Sequence, residues 1–421
     1  EFPASRILPS TSSPAVVSAE PAQIEPSRSA KAGFWLFGLH LWTVFGLALS
    51  NVFLALTGLV VPWAVRWREV PWHGLRRVLT PLGLYALTVL VSVAYSYDPW
   101  VSLEAGREVL SLGTLFLALV LMRGEPAVRQ VVTGVILVSG LLAAWGLGQF
   151  LVGMGDINHR IRGPFSHYMT FAGVLLIADL LLIAQMVCGS GRRSAWRWGA
   201  LLVINLALVA SLTRSAWVAL GLTFTILLLL RAPRFVAAYV PAALLFLVIA
   251  PVSVVHRVIS IVDLRDSSNY DRVCMAEAGL HMIRERPLLG LGPGMVEERY
   301  PIYRHPSAIK QTTAHLHNSF LQIAAEEGLL ALAAYLWLML GTLALAYRHY
   351  VREDQTGGSR ADLFMGAFLA LLAFNLAGLF EDNWGDTEVQ RMALFVTAVP
   401  YCLLSGAPSA VEPEEGSSRS G

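Results

Sequence analysis

The segment HLHNSFLQIAAEEG at 315–328 places two histidines directly ahead of an apolar run with helical spacing. Asn318 suits a helix N-cap, so His317 falls at the positive end of the helix dipole, which favours a neutral ring able to accept a proton. The same helix end can orient an anion, with His315 and Asn318 as supporting groups. An HxH pair alone is a weak signal, more often structural than catalytic, and two histidines can also share a metal with a carboxylate such as Glu381 or Asp386. The sequence has no HExxH, CxxC or DxD, and no GxSxG or phosphate-loop motif. Neither a metal nor a cofactor is therefore expected.

Arginine is the second chemical signal. The basic residues comprise 29 Arg and two Lys, Lys31 and Lys310. A guanidinium forks onto phosphate oxygens in a bidentate manner, which suits a diphosphate held at a membrane surface. Arg214, in SLTRSAW, sits between two apolar runs that leave almost no loop, and a charge in that position calls for an anionic partner. Arg160 and Arg162 lie in a similar short connection. From His256 to Leu316 there are eight basic and seven acidic residues, so this stretch is nearly neutral. Any anion site there must come from particular arginines, Arg272 among them, folded towards one point. Individual loop arginines could equally pair with those acids or touch lipid head groups.

The elements that must position these residues are membrane helices. Hydrophobic residues make up 55% of 421 and charged residues 14%, a composition outside the soluble range. With a net charge of +2, nothing global points to nucleic acid. Twelve apolar runs recur at 33–49, 51–66, 78–95, 108–122, 128–150, 167–187, 196–212, 215–231, 235–255, 328–347, 362–380 and 389–405. The first two are divided at Ser50 and Asn51. The organisation expected is a disordered tail at 1–32, nine spans over 33–255, a helical outer loop at 256–327, three spans over 328–405, and a second disordered tail at 406–421. Glu1 in place of Met suggests that the numbering starts inside a longer product.

Short loops after even-numbered spans hold fourteen arginines, against three to five in the alternate loops. Positive charge stays cytoplasmic, so both tails are expected inside and the long loop outside, in the periplasm of a two-membrane cell. Within the loop, Val273, Ala276, Leu280 and Ile283 predict a helix over 271–285 that stops at Pro287. A second helix is expected from Asn318 through Leu321, Ala325 and Leu329 into span ten. Asp179 is nearly the only charge in the middle of a span, whereas a transporter needs a polar path. The three cysteines, Cys188, Cys274 and Cys402, allow no disulfide framework.

Five stretches together resemble the bacterial O-antigen ligase and polymerase superfamily of the inner membrane. They are RIRGPFSHYMTFAG (160–173), SLTRSAW (211–217), NYDRVCMAEAGLHMIRERPLLGLGPG (269–294), HLHNSFLQIAAEEGLLAL (315–332) and LFEDNWGDTEV (379–389). The resemblance implies an all-α, GT-C-like membrane fold and metal-independent transfer of a glycan from undecaprenyl diphosphate to an acceptor hydroxyl. By that resemblance, Arg214 and Arg272 bind the diphosphate, His317 is the essential histidine, and Arg160 or Arg162 precedes the RxxG-like turn. The acceptor is lipid A core for a ligase or a second lipid-linked glycan for a polymerase. The modest outer loop, with HxHN close to the membrane, favours the ligase. The rival of another class is a transporter of lipid-linked glycan.

Metal independence is directly testable: purified protein in excess chelator should still transfer glycan. Activity that disappears and returns with a divalent cation would instead make HxH, with Glu381 or Asp386, a metal site.

Overall fold

A computed structural model describes residues 27–154, 160–189, 194–263 and 265–405. Among these the regular structure is helical, with no strand. Each of the twelve apolar windows holds a helix: Arg28–Trp42, Leu47–Ala64, Trp72–Ala94, Gly113–Leu121, Glu125–Leu151, Tyr168–Cys188, Ala195–Ala210, Arg214–Arg231, Val236–Ile249, Gly328–Thr356, Ala361–Ala377 and Thr387–Ser405. Six of them are long and apolar enough to cross a membrane. This architecture fits a helical membrane protein.

Four boundaries differ from expectation, three of them within the tail and the first nine windows, each for a local reason. The tail expected at 1–32 gives way at its end to a helix starting at Arg28, because the Ser27 hydroxyl caps it by accepting from the Ala30 N–H at 3.2 Å. Residues 1–26 and 406–421 lie outside the described residues, as do Arg192 and Arg193. The first two spans separate at 43–46, not at Ser50 and Asn51. Those two polar residues lie near the start of Leu47–Ala64, where buried Ser50 bonds to His40 at 2.9 Å and both Ser50 and the exposed Asn51 receive Arg391. The ninth window breaks after Ala250, where Pro251 starts a separate helix, Val252–Ile259.

The core is built around Tyr168–Cys188, Ala361–Ala377 and Thr387–Ser405, which are buried along most of their length. In the first of these 83% of the apolar window is buried, against 22% in Leu47–Ala64, whose outward face is left for lipid. Small residues let these central helices approach: a Cβ on Gly173 would stand 2.9 Å from Val389, and one on Gly366 would stand 3.2 Å from Leu181. Asp179 is fully buried in this packing and accepts from Asn205 at 2.9 Å.

The loop arginines counted on one side also meet in space. Arg129 pairs with Asp362 at 2.7 Å, Arg231 pairs with Asp354, Arg360 donates to the Leu403 carbonyl at 3.2 Å, and the Gly124 N–H reaches the Cys402 carbonyl at 2.9 Å. All of this lies at the C-terminal end of Thr387–Ser405. At its other end the 256–327 loop folds over the bundle as helices Ser267–Glu285, Met295–Tyr303 and Ser319–Glu326 around a second small core of Met275, Met282, Leu291, Met295, Tyr300 and Leu316.

The PLLGLGPG stretch is threaded beneath this cap. Leu291 and Gly292 donate to the Ala325 and Glu326 carbonyls at 2.9 and 2.8 Å, and the Ser92 hydroxyl donates to the Leu289 and Glu326 carbonyls at 2.7 and 2.9 Å. Sequence periodicity runs helix 319–326 straight into span ten. The structure instead breaks the run at Gly328, where φ is +87° and an added Cβ would stand 2.1 Å from Leu288 O, so that no other residue is accommodated. Gly328→Ala is expected to destabilise the protein by at least about 2 kcal/mol, read as a lower melting temperature in detergent. An unchanged melting temperature would mean the turn does not anchor the cap.

Candidate active site

The start of helix Ser319–Glu326 is pinned on two sides. Asn318 Oδ1 accepts from the Phe320 and Leu321 N–H groups, both at 3.0 Å, as the N-cap predicts, while its Nδ2 donates to the Leu379 carbonyl at 3.0 Å. The Ser319 N–H reaches the Gly378 carbonyl at 2.8 Å, and its hydroxyl bonds the Glu381 carbonyl at 3.2 Å. These bonds tie residues 318–319 to the 378–384 connection between the last two spans. Between them His317 is held at φ +50°, a left-handed conformation that costs a side chain of this kind about 1–3 kcal/mol.

That conformation aims the ring at Glu381. His317 Nδ1 lies 2.9 Å from Glu381 Oε1, the His315 ring packs edge-on at 4.3 Å, and Arg272 Nη2 lies 3.6 Å from Glu381 Oε2. Glu381 is 6% exposed. Burial pushes its carboxyl up, but the hydrogen bond to His317 and the charges of His317, His315 and Arg272 outweigh that and hold it below its ordinary range. The His315 imidazole is lowered to about 4, by burial first and by His317 second. A carboxylate at Nδ1 selects the tautomer in which Nε2 is the free acceptor. The wall continues through Asp386, which accepts from Thr170 at 2.5 Å, and Asp382, raised to about 6 by burial. A polar cavity of about 580 Å³ opens between these groups, Lys310 and Glu297.

The arginines gather on the other side of Glu381. Arg214, at the first position of its helix and 7% exposed, donates to Ser260 O at 2.8 Å, Ser260 Oγ at 3.1 Å, Asp266 at 3.2 Å and Ser268 at 3.2 Å. Its expected anionic partner is thus present within the chain. Arg272 has its guanidinium held down by burial, Glu381 opposing, with Arg214 close enough to lower it further, and its buried Nε bonds no protein acceptor. Arg160 is buried with its guanidinium 4.5 Å from the Tyr168 ring centroid. Arg162 points outward and donates to the Ser166 carbonyl at 3.1 Å. Of the two, Arg160 is the one that joins the cluster.

A fourth arginine was not singled out by its sequence context. Arg257 follows His256 at the edge of an apolar run and reads as a span terminus. It donates to the Leu212 carbonyl at 3.2 Å and is lowered to about 10, by burial first and then by Arg160 and Arg214. Leu212, at φ +52°, and His317 are the two non-glycine residues with positive φ among those described. One lies two positions before Arg214 and the other is the candidate base, so the strained backbone coincides with the two chemical signals. Val254 and Val258, on the Arg257 helix, open onto an apolar groove of about 950 Å³ walled by Trp198, Leu202, Trp217 and Phe246.

His315, His317 and Glu381 present ligand atoms all within 4.8 Å of one another, a set that could also hold a metal ion.

Residues 198–336, about a third of the chain, match the family model described as O-antigen ligase. A search of curated proteins finds no match. The resemblance to the O-antigen ligase superfamily therefore holds over the segment that carries Arg214, Arg257, Arg272, His315 and His317. At family level it supports a ligase or polymerase type of function. Arg160 and Glu381 lie outside the matched residues and come to the site through the fold.

Behind the histidines, Glu326 is buried and accepts from the Val296 N–H at 2.8 Å, with its pKa raised to about 7 by burial. An acid raised on folding contributes stability that is full below its unfolded pKa, near 4.5, and is lost as pH climbs through 7. Glu326→Gln, which keeps the acceptor and cannot ionise, should therefore gain on the parent protein by on the order of 3 kcal/mol between pH 5 and pH 8. The check is melting temperature against pH, and a gap between the two proteins that stays constant would contradict it.

Proposed function

We propose that this protein is a membrane glycosyltransferase that moves a glycan from undecaprenyl diphosphate to an acceptor hydroxyl, acting as an O-antigen ligase on lipid A core. The observation that carries the reading is a charge imbalance. Among the described residues three guanidiniums, of Arg214, Arg257 and Arg272, meet two carboxylates, of Asp266 and Glu381, where an apolar groove and a histidine–carboxylate pair adjoin. An excess of positive charge in a half-buried site suits a diphosphate, and the groove beside it suits a polyprenyl chain.

In this reading the acceptor oxygen attacks the anomeric carbon as the bond from that carbon to the diphosphate oxygen breaks. The bonding electrons leave with the diphosphate, where the arginines stabilise the growing charge. The hydroxyl proton passes to His317 Nε2, whose ring Glu381 orients through Nδ1 at 2.9 Å. Because a lipid diphosphate is already a good leaving group, positioning and charge stabilisation supply most of the rate. The twelve helices, the GT-C-like arrangement, the cytoplasmic termini and the periplasmic orientation of the site belong to the same proposal. The arginine-rich end of the bundle supports that orientation.

Complementing a deletion strain tests it. The parent gene should restore long chains on lipid A core. His317→Ala should leave a folded, membrane-inserted protein with transfer down at least about a hundredfold, and His315→Ala should lose less. Arg214→Lys and Arg272→Lys keep the charge without the fork and should also fall sharply. Near-normal transfer by His317→Ala would remove its role, and accumulation of single repeat units in the deletion strain would replace ligation by polymerisation.

A further inference from the structure

The end of the bundle away from His317 carries a second site. Arg123 precedes Gly124, which bonds Cys402 near the C-terminus of Thr387–Ser405, while Asp386 of the active-site wall immediately precedes that helix. A helix of 19 residues is roughly 28 Å long, about the thickness of a hydrocarbon layer, so the two sites lie at opposite ends of the bundle. A cavity of about 800 Å³ opens there between the N-terminal helix, the end of Leu47–Ala64 and the start of Glu125–Leu151.

Its lining combines three cations with an aromatic rim. Arg66 pairs with Glu69 at 3.3 Å, Arg123 donates to the Glu69 carbonyl at 3.2 Å, and Lys31 is exposed, its side chain making no hydrogen bond or ion pair among the described residues. One carboxylate therefore faces three positive charges. Ser29 adds a hydroxyl, fixed by donating to the Trp63 carbonyl at 2.9 Å. Trp63 is 76% exposed and Trp35 is 47% exposed at the mouth. From Trp63 a stripe of Leu59, Leu56 and Val52, exposed by 66%, 39% and 52%, runs along one face of Leu47–Ala64 at spacings of four, three and four residues.

We propose that this cavity binds the head group of an anionic glycerophospholipid, with its acyl chains laid along the Val52–Trp63 stripe. The cations take the phosphate, and the tryptophans take the level between head group and acyl chain that such rings prefer. A free phosphate would use the cations and leave the stripe empty, whereas a zwitterionic lipid would use the stripe and gain little from the cations. The apolar stripe and the excess charge coincide only for an anionic lipid.

The test uses the full-length protein in neutral detergent, titrated with phosphatidylglycerol, phosphatidylcholine or glycerol phosphate, with bound lipid read by native mass spectrometry and melting temperature followed alongside. Phosphatidylglycerol should bind saturably and raise the melting temperature, and the other two should not. Lys31→Ala removes an exposed group with no structural bond and should weaken phosphatidylglycerol about fivefold. Lys31→Ala with Arg123→Gln should weaken it further. Equal binding of phosphatidylcholine, an equal effect of glycerol phosphate, or undiminished phosphatidylglycerol binding by the Lys31 variant would each overturn the proposal.

Discussion

The buried carboxylate of Glu381 is the interaction on which the candidate site depends. A carboxylate 6% exposed is costly unless it is paired and hydrogen-bonded, and Glu381 meets that cost with His317 at 2.9 Å and Arg272 at 3.6 Å. Those two partners come from different parts of the 256–327 loop, and Glu381 itself comes from the connection between the last two apolar windows. One side chain thus gathers the loop helices onto the bundle, and its loss would separate the histidine from the arginines. The left-handed backbone at His317 is tolerated because the Asn318 cap and the Ser319 bonds to Gly378 and Glu381 over-determine it.

Around that carboxylate the environment divides by chemistry. One side, with His315, Thr170, Asp386 and Lys310, is polar and open to the 580 Å³ cavity. The other side carries the excess of guanidinium and adjoins the 950 Å³ apolar groove. A reaction between a sugar hydroxyl and a lipid diphosphate asks for this division, because the acceptor brings hydroxyls and the donor brings negative charge and hydrocarbon. His315, lowered to about 4, adds no positive charge near neutral pH and leaves His317 as the histidine bonded to the carboxylate.

Much of this was legible in the chain because it is local. The Asn318 cap, the helix ending before Pro287 and the twelve apolar windows follow from residue type and spacing within a turn or two. Arg214 was conspicuous because two spans leave it no loop in which to hide. What was not legible depends on residues distant in sequence. Glu381 and Asp386 stood as equal candidates to share a metal with the histidines, and nothing nearby marks Glu381 as the direct hydrogen-bond partner of a histidine 64 positions away. Arg257 looked like the end of a span because Pro251 turns the chain there, and only the folded geometry brings it to Leu212. The division misplaced at Ser50 and Asn51 has the same origin: both are polar because they receive Arg391 from the last helix, 341 and 340 positions away.

The central claim, that the arginine side of Glu381 receives a lipid diphosphate while His317 faces the acceptor, is tested most directly by a structure of the protein bound to undecaprenyl diphosphate. The account predicts phosphate oxygens on Arg272 and Arg214, an Arg272–Glu381 separation no shorter than 3.6 Å, and the first isoprene units in the groove beside Trp217 and Val258. A diphosphate lodged in the carboxylate-lined cavity, or a chain leaving the protein away from that groove, would contradict it.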